Sequence, residues 1–385
     1  MAEQGIGEVR ELLADLVRIP SVNPRDGEGP AEGAVGEFVA GWLREAGLDV
    51  SMQQALPGRY NIIARLPGRD RKRALLLESH LDTVEVGGMT SPPFDAMVRG
   101  GRLYGRGSCD GKGSLAAFML ALRDLARNAD EPPLEVILAA VIDEEYLGRG
   151  IVHFLEHWDS EQTIAGAVVS APTQLRIVLG NKGLLRFRVR ASGRSAHSAQ
   201  PWEGDNAIDR MADVLEYVKN NLAQELTRVN DKLVGQPTLV PTLIEGGTGA
   251  NMIPHECFIT LDRRTIPGED AMHIWRRYKV ALEAIAPGKV EVQAPITVSE
   301  AVATPRGAGI VAALTRTLAE NDLETRVTGV NFGSDAGRLG RANIPCVLWG
   351  PGSNSESHQP SESVELTEVG TAADLVRTLA ARFSL

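Results

Sequence analysis

His80 and Asp82 stand two residues apart in SHLDTV, directly after the apolar run ALLLE. On a strand, positions two apart share a face, so both side chains emerge where the strand leaves its sheet. A histidine that ligates a metal is commonly oriented by a carboxylate. Taken alone, the pair more often describes a strand-end hydrogen bond. Asp110 sits in the glycine-dense YGRGSCDGKG, where flanking glycines free the backbone to crowd a ligand. A phosphate loop is excluded there, because Lys112 is followed by glycine and no G-x-x-x-x-G-K-[ST] is present. Such a loop suits a carboxylate shared by two metal ions. Asp143, Glu144 and Glu145 close the apolar run LEVILAAVI. Adjacent acids at the end of a buried strand repel one another and call for a cation or a proton. Adjacent strand residues face opposite sides, so one glutamate can hold metal while its neighbour handles a proton. AVVSAPT, Ala167 to Thr173, is another strand end on the same rim. His358, in the loop WGPGSNSESHQP after a third buried run, completes the candidate ligands. The chemistry these residues could do is metal-assisted hydrolysis.

The elements needed to position them follow from periodicity. Up to about residue 178 helix-like segments (Glu8 to Arg18, Ala34 to Ala46, Gly113 to Arg127) alternate with strand-like ones (Asn61 to Leu66, Arg73 to Ser79, Leu134 to Ile142, Ile164 to Ser170). That alternation predicts an α/β sheet covered on both faces. From about 180 to 295 the order becomes strand (Leu184 to Ala191), helix (Ala207 to Asn221), strands (Pro237 to Ile244, Cys257 to Arg263), helix (Ala271 to Ile285) and strand (Val290 to Ala294). This βαββαβ order predicts a ferredoxin-like α+β domain inserted into the α/β domain. The α/β pattern resumes with a helix from Gly309 to Asn321 and a strand from Pro345 to Trp349. The predicted division is 1–179 with 296–385 for the catalytic domain, and 180–295 for the insert.

A length of 385 residues suits two compact units. With 40 Lys and Arg against 50 Asp and Glu, a net charge of -10 argues against sequence-independent nucleic-acid binding. The basic run Arg69 to Arg73 reads as a solvated turn. Cys109, Cys257 and Cys346 make neither a disulfide framework nor a Cys-x-x-Cys motif, which points to a reducing cytoplasm. No apolar run approaches the ~18 residues of a membrane span, and the N-terminal segment has no export-signal pattern.

In order, SHLDTV, YGRGSCDGKG, VIDEE, VVSAPT, GRSAHSAQP, GTGANMIPHE, DRRTIPGED and GPGSNSESHQP resemble the di-zinc metallohydrolase family of acetylornithine deacetylase, succinyl-diaminopimelate desuccinylase, aminoacylase and carboxypeptidase G. The resemblance implies a zinc-peptidase-like catalytic domain with a lid and dimerisation insert, and two Zn2+ ions per subunit bridged by Asp110. His80 would hold the first zinc, Glu145 and His358 the second. Asp82 would orient His80, and Glu144 would be the general base that takes a proton from water and returns one to the leaving amine. His197 would reach the partner subunit's site and steady the oxyanion, while Asn251 and Arg264 would contact substrate, Arg264 through a substrate carboxylate. The implied substrates are N-acyl amino acids or peptide-like amides, and the implied assembly is a homodimer.

One position departs from the family. Ala171 stands where the family has Glu or Asp as the remaining ligand of the first zinc. Fewer than the three protein ligands usual at catalytic zinc then remain, so the first site is expected to be incomplete, or completed by Glu144 at the expense of its role as base. Three functions compete: an N-acyl amidohydrolase or small-peptide hydrolase; a metal-deficient relative that binds such ligands, or catalyses another acyl reaction, without efficient hydrolysis; and a zinc protease built on His153, Glu156 and His157, which spell the inverted H-x-x-E-H. The last is disfavoured, with these histidines, His255 and His273 expected at the surface and Trp349 in the core.

Overall fold

The computed structural model describes residues 3–25, 31–127, 131–159 and 161–384. The chain forms two compact units, one of Met1–Leu179, Thr304–Thr328 and Arg338–Leu385, the other of Gly180–Ala303 and Gly329–Gly337.

In the first unit the strand Asp70–His80 is central. It runs parallel to Leu134–Val141 on one side and to Thr163–Ser170 on the other. Cys346–Trp349 adds in parallel beyond Thr163–Ser170, and Arg59–Leu66 and then Asp49–Leu56 add antiparallel beyond Leu134–Val141. Every residue from Ala74 to His80 is buried. Because side chains alternate along a strand, both faces of the sheet must be covered, as continuous apolar runs require. Helices do this, among them Gly33–Glu45 against Arg59–Leu66 and Gly309–Ala319 against Thr163–Ser170. The helix Lys112–Ala126 is buried along most of its length, packed against the central strands and against the C-terminal helix Leu366–Arg382. A small sheet of Met97–Arg99, Arg102–Tyr104 and Ser363–Glu365 stands apart.

The second unit is a four-stranded antiparallel sheet in the order Thr238–Gly246, Glu256–Thr265, Gly183–Ser192, Val290–Ser299. Gly183–Ser192 alternates buried and half-buried residues, as expected of a sheet with one packed face. Helices Ala207–Tyr217 and Ala271–Glu283 cover that face through a core that includes Phe187, Val189, Met211, Ile259 and Tyr278. Asn206 and Asp270 cap these helices, accepting from Ile208 N at 3.0 Å and His273 N at 2.6 Å. Arg186 and Arg190, half-buried on the alternate positions, pair with Asp262 and Glu256.

The expected border at 295/296 differs from the observed one. The last strand continues through two register shifts, and Thr297, Val298 and Ser299 pair with Arg186, Leu185 and Leu184. Pairing with a distant strand, which a local pattern does not reveal, carries the unit to Ala303. Residues 329–337 also group with this unit.

Candidate metal centre

The parallel strands of the first unit end on one rim, the usual location of sites in α/β sheets. His80 is the last residue of its strand and is 3% exposed. Its Nδ1 lies 2.9 Å from the carbonyl oxygen of Asp82. A carbonyl only accepts, so Nδ1 carries the proton and Nε2 is left to act as a ligand. Nε2 stands 3.2 Å from Oδ1 of Asp110. The other oxygen, Oδ2, is 3.4 Å from Nε2 of His358, which is also 3.0 Å from Oε1 of Glu145. Asp110 therefore presents one oxygen to each histidine.

The glycine after Asp110 has a direct reason. A Cβ on Gly111 would stand 2.6 Å from Nε2 of His80, so any side chain would displace the imidazole. The Asp110–Gly111 peptide is cis.

Glu144 and Glu145 depart from the alternating-face expectation. The strand ends at Val141, and Asp143 takes a left-handed φ of 66° before a turn. Both glutamate amides donate to the Asp82 carboxylate, Glu144 N to Oδ1 at 3.1 Å and Glu145 N to Oδ2 at 3.0 Å. Turn geometry replaces strand geometry, and the two side chains converge instead of pointing apart. Carboxylate or imidazole atoms of His80, Glu144 and Glu145 lie within 4.8 Å of one another, as do those of Asp110, Glu145 and His358.

Asp82 accordingly has a second job beside His80. Its carboxylate is 3.7 Å from the imidazole Nδ1, further than its own carbonyl, and is committed to the glutamate turn and to Asn23, whose Nδ2 donates to Oδ2 at 2.7 Å. Asn23 also donates to Asp143 at 3.1 Å. Behind the turn, Arg149 pairs with Asp143 at 2.6 Å and Arg59 with Glu32. Asn23, Glu32 and Arg59 carry no signal in the sequence, because each is defined by partners far along the chain.

Electrostatics at the centre favour positive charge. Hydrogen bonds to Asp110 and Glu145 raise His358 to about 10 against the opposing effect of burial. Burial would lower His80, but Asp110 and the neighbouring Glu144 and Asp82 charges outweigh it and raise it well above its usual value. Burial pushes Asp110 up, yet the two imidazoles win and hold it below the ordinary carboxylate range. Imidazole and carboxylate donors converging in this way suit a borderline divalent cation.

Ala171 follows the strand Thr163–Ser170 and is 4% exposed. The parallel register between this strand and Asp70–His80 ends with Glu78 opposite Val169, so Ala171 and His80 both lie where these two adjacent strands end. Gly350, beside Ala171 on the next strand end, leaves no room for a substitute carboxylate, since a Cβ there would lie 2.7 Å from the Ala171 carbonyl and 2.4 Å from Ser114 Oγ.

His197, Asn251 and Arg264 lie in the second unit. His197 and Asn251 are neighbours: Ser198 N donates to Asn251 O at 2.9 Å, and His197 forms a bridge with Met252. Both are exposed. Arg264 is half-buried, with Nε donating to Asp262 at 2.8 Å. Among the described residues, His153, Glu156 and His157 form no convergent metal group. The two imidazoles stack at 3.9 Å, and His157 Nδ1 bonds the His153 carbonyl. Trp349 is fully buried, with Nε1 donating to Leu175 O.

The chain is similar to known proteins along its length. The chain is 29% identical over 385 residues to acetylornithine deacetylase of Proteus mirabilis, spanning 97% of this chain and 96% of the relative. It is 30% identical to that of Pectobacterium carotovorum, spanning 95% of each. An M20 family metallo-carboxypeptidase from Sulfolobus solfataricus superposes with a TM-score of 0.79 at 19% identity over 98% of this chain and 99% of that one. A dinuclear metal binding peptidase from Bacillus subtilis does so at 0.73 and 16% identity, over 98% of each. At such identities the two structures speak to the fold. Residues 76–382 match the model of peptidase family M20/M25/M40, which takes in the His80 strand end, the Asp110 loop, the glutamate turn and His358, and the chain belongs to that family of hydrolases.

Proposed function

We propose that this chain is a zinc-dependent amidohydrolase that removes the acyl group from an N-acyl amino acid, of the acetylornithine deacetylase kind. The observation that carries the reading is Asp110, whose two oxygens face His80 and His358 separately while Glu145 joins the second histidine. Asp110, Glu145 and His358 would hold one ion, and His80 with Asp110 the other. Bound zinc would supply Lewis acidity toward the amide carbonyl and make water acidic enough to ionise near neutrality. Glu144 would accept a proton and return it to the departing amine. His197 of a second copy would donate to the developing oxyanion, Arg264 would hold the substrate carboxylate as a charge-assisted pair, and Asn251 would orient the amide.

A homodimer fits the exposed edge strand Thr238–Gly246, which has one strand neighbour and exposes Val240, Leu243 and Ile244. Three buried free cysteines suit a reducing cytoplasm. Among the described residues no helix is long and apolar enough to cross a membrane.

A second reading rests on Ala171 and on the reach of Glu144 to His80. Here Glu144 supplies the missing carboxylate, its role as base is lost, and the chain binds such ligands without efficient hydrolysis. Hydrolysis of N-acetylornithine and a panel of N-acyl amino acids and dipeptides, with zinc supplied, is compared for the native chain and Ala171→Glu. Turnover by the native chain on an N-acyl amino acid supports the first reading. Turnover only by Ala171→Glu supports the second, and none by either would overturn both.

A further inference from the structure

Glu362 lies four residues beyond His358 and is fully buried. Its carboxylate makes three bonds, none of them to His358. Oε1 accepts from the backbone amides of Cys109 at 3.0 Å and Asp110 at 3.2 Å, and Oε2 accepts from Arg106 Nη1 at 2.6 Å. The Glu362 carbonyl accepts from Gly105 N at 3.1 Å. Arg106 is itself buried and donates Nε to the Glu85 carbonyl at 3.1 Å. A buried carboxylate without partners is strongly unfavourable, and here a guanidinium and two amides satisfy it. The two amides belong to the very residues that set the path of the Asp110 loop. One side chain from the His358 segment thus fixes the start of the loop whose aspartate must meet both His80 and His358.

We propose that Glu362 is a positioning residue of the metal centre, holding the Asp110 backbone at the spacing from His358 that two shared ions require. The proposal rests on Asp110 and His358 being metal ligands. The working part is the acceptor oxygen toward Cys109 and Asp110; the negative charge serves only to match Arg106.

That division sets the test. Arg106→Met combined with Glu362→Leu removes the whole ion pair in favour of apolar groups, a replacement that is often neutral for folding, but leaves both amides without their acceptor. Arg106→Met combined with Glu362→Gln restores a carbonyl acceptor without charge. Affinity for Zn2+ is measured by competition with a chromophoric chelator, and Co2+ spectra report ligand geometry. The first variant is expected to lose 10- to 100-fold in affinity, the range found when groups supporting metal ligands are removed, with an altered Co2+ spectrum. The second is expected to stay within about threefold of the native chain by the same reasoning. Equal affinity of the first variant and the native chain would overturn the proposal, as would a tenfold or greater loss in the second, which decides the matter even if the first fails to fold. Asp110→Asn run alongside separates the two ideas: if it too binds metal as the native chain does, the reading of the centre fails, whereas if it alone loses metal, only the role of Glu362 falls.

Discussion

At the scale of single residues, the two proposed readings part at position 171 and Glu144. A glutamate placed at 171 would stand at a buried strand end. Without a cation it adds one more buried carboxylate to an acidic cluster, so metal-free Ala171→Glu should melt below the native chain. Zinc should raise its Tm by more than it raises that of the native chain, because an ion that binds only the folded state stabilises it by linkage. Scanning calorimetry with and without zinc checks this, and equal zinc shifts in the two proteins would count against a ligand at 171. Glu144→Gln distinguishes base from ligand. As a base, its loss should lower kcat by roughly 10²- to 10⁴-fold with metal content unchanged; elemental analysis showing a lost ion would make it a ligand instead.

At the scale of elements, the helix Lys112–Ala126 is tied to the N-terminal helix Glu3–Arg18 by one buried side chain. Lys112 Nζ donates to the carbonyls of Leu16 at 2.9 Å and Ile19 at 2.8 Å at the end of that helix, where the Leu16 carbonyl also accepts from Ile19 N at 3.4 Å. Lys112→Met keeps the apolar stem but removes the donor to both carbonyls and leaves Leu16 O only its long bond from Ile19 N, so the first unit should lose about 1–3 kcal/mol in urea unfolding. An unchanged midpoint would show that water replaces the ammonium at no cost. The buried cysteines form another element-level test. Burial pushes the Cys346 thiol up to about 12 and raises Cys257 as well. A raised thiol pKa means less thiolate at pH 8, so the folded chain should resist a thiol reagent and react at three sites once unfolded.

For the molecule as a whole, the exposed edge strand of the second unit is the surface to probe. Leu243 and Ile244 are each 61% exposed. Changing both to lysine places charge on an edge that otherwise invites strand pairing. On the homodimer reading, light scattering should show the native mass halved and hydrolysis should fall with it, because His197 would no longer reach a partner's site. A monomeric native chain that hydrolyses substrate would overturn both the assembly and the shared histidine.

Much of the ligand chemistry was legible in sequence because it depends on local facts: His80 closes an apolar strand, Asp110 lies among glycines, and Glu144 and Glu145 end another apolar run. The departure at Ala171 was visible only through the resemblance to the family, because an alanine at a strand end carries no local signal of its own. What the tertiary structure alone decided involves partners distant along the chain. Asp82 holds a turn 62 and 63 residues away, so the two glutamates converge where strand alternation would have parted them. Glu362 reaches amides more than 250 residues back. The last strand of the second unit runs on to Ser299 because Leu184 and Leu185 are there to pair with it. Residue type and periodicity report what a segment can bury or bind. Which carboxylate meets which amide is settled only when the sheet brings the strand ends to one rim.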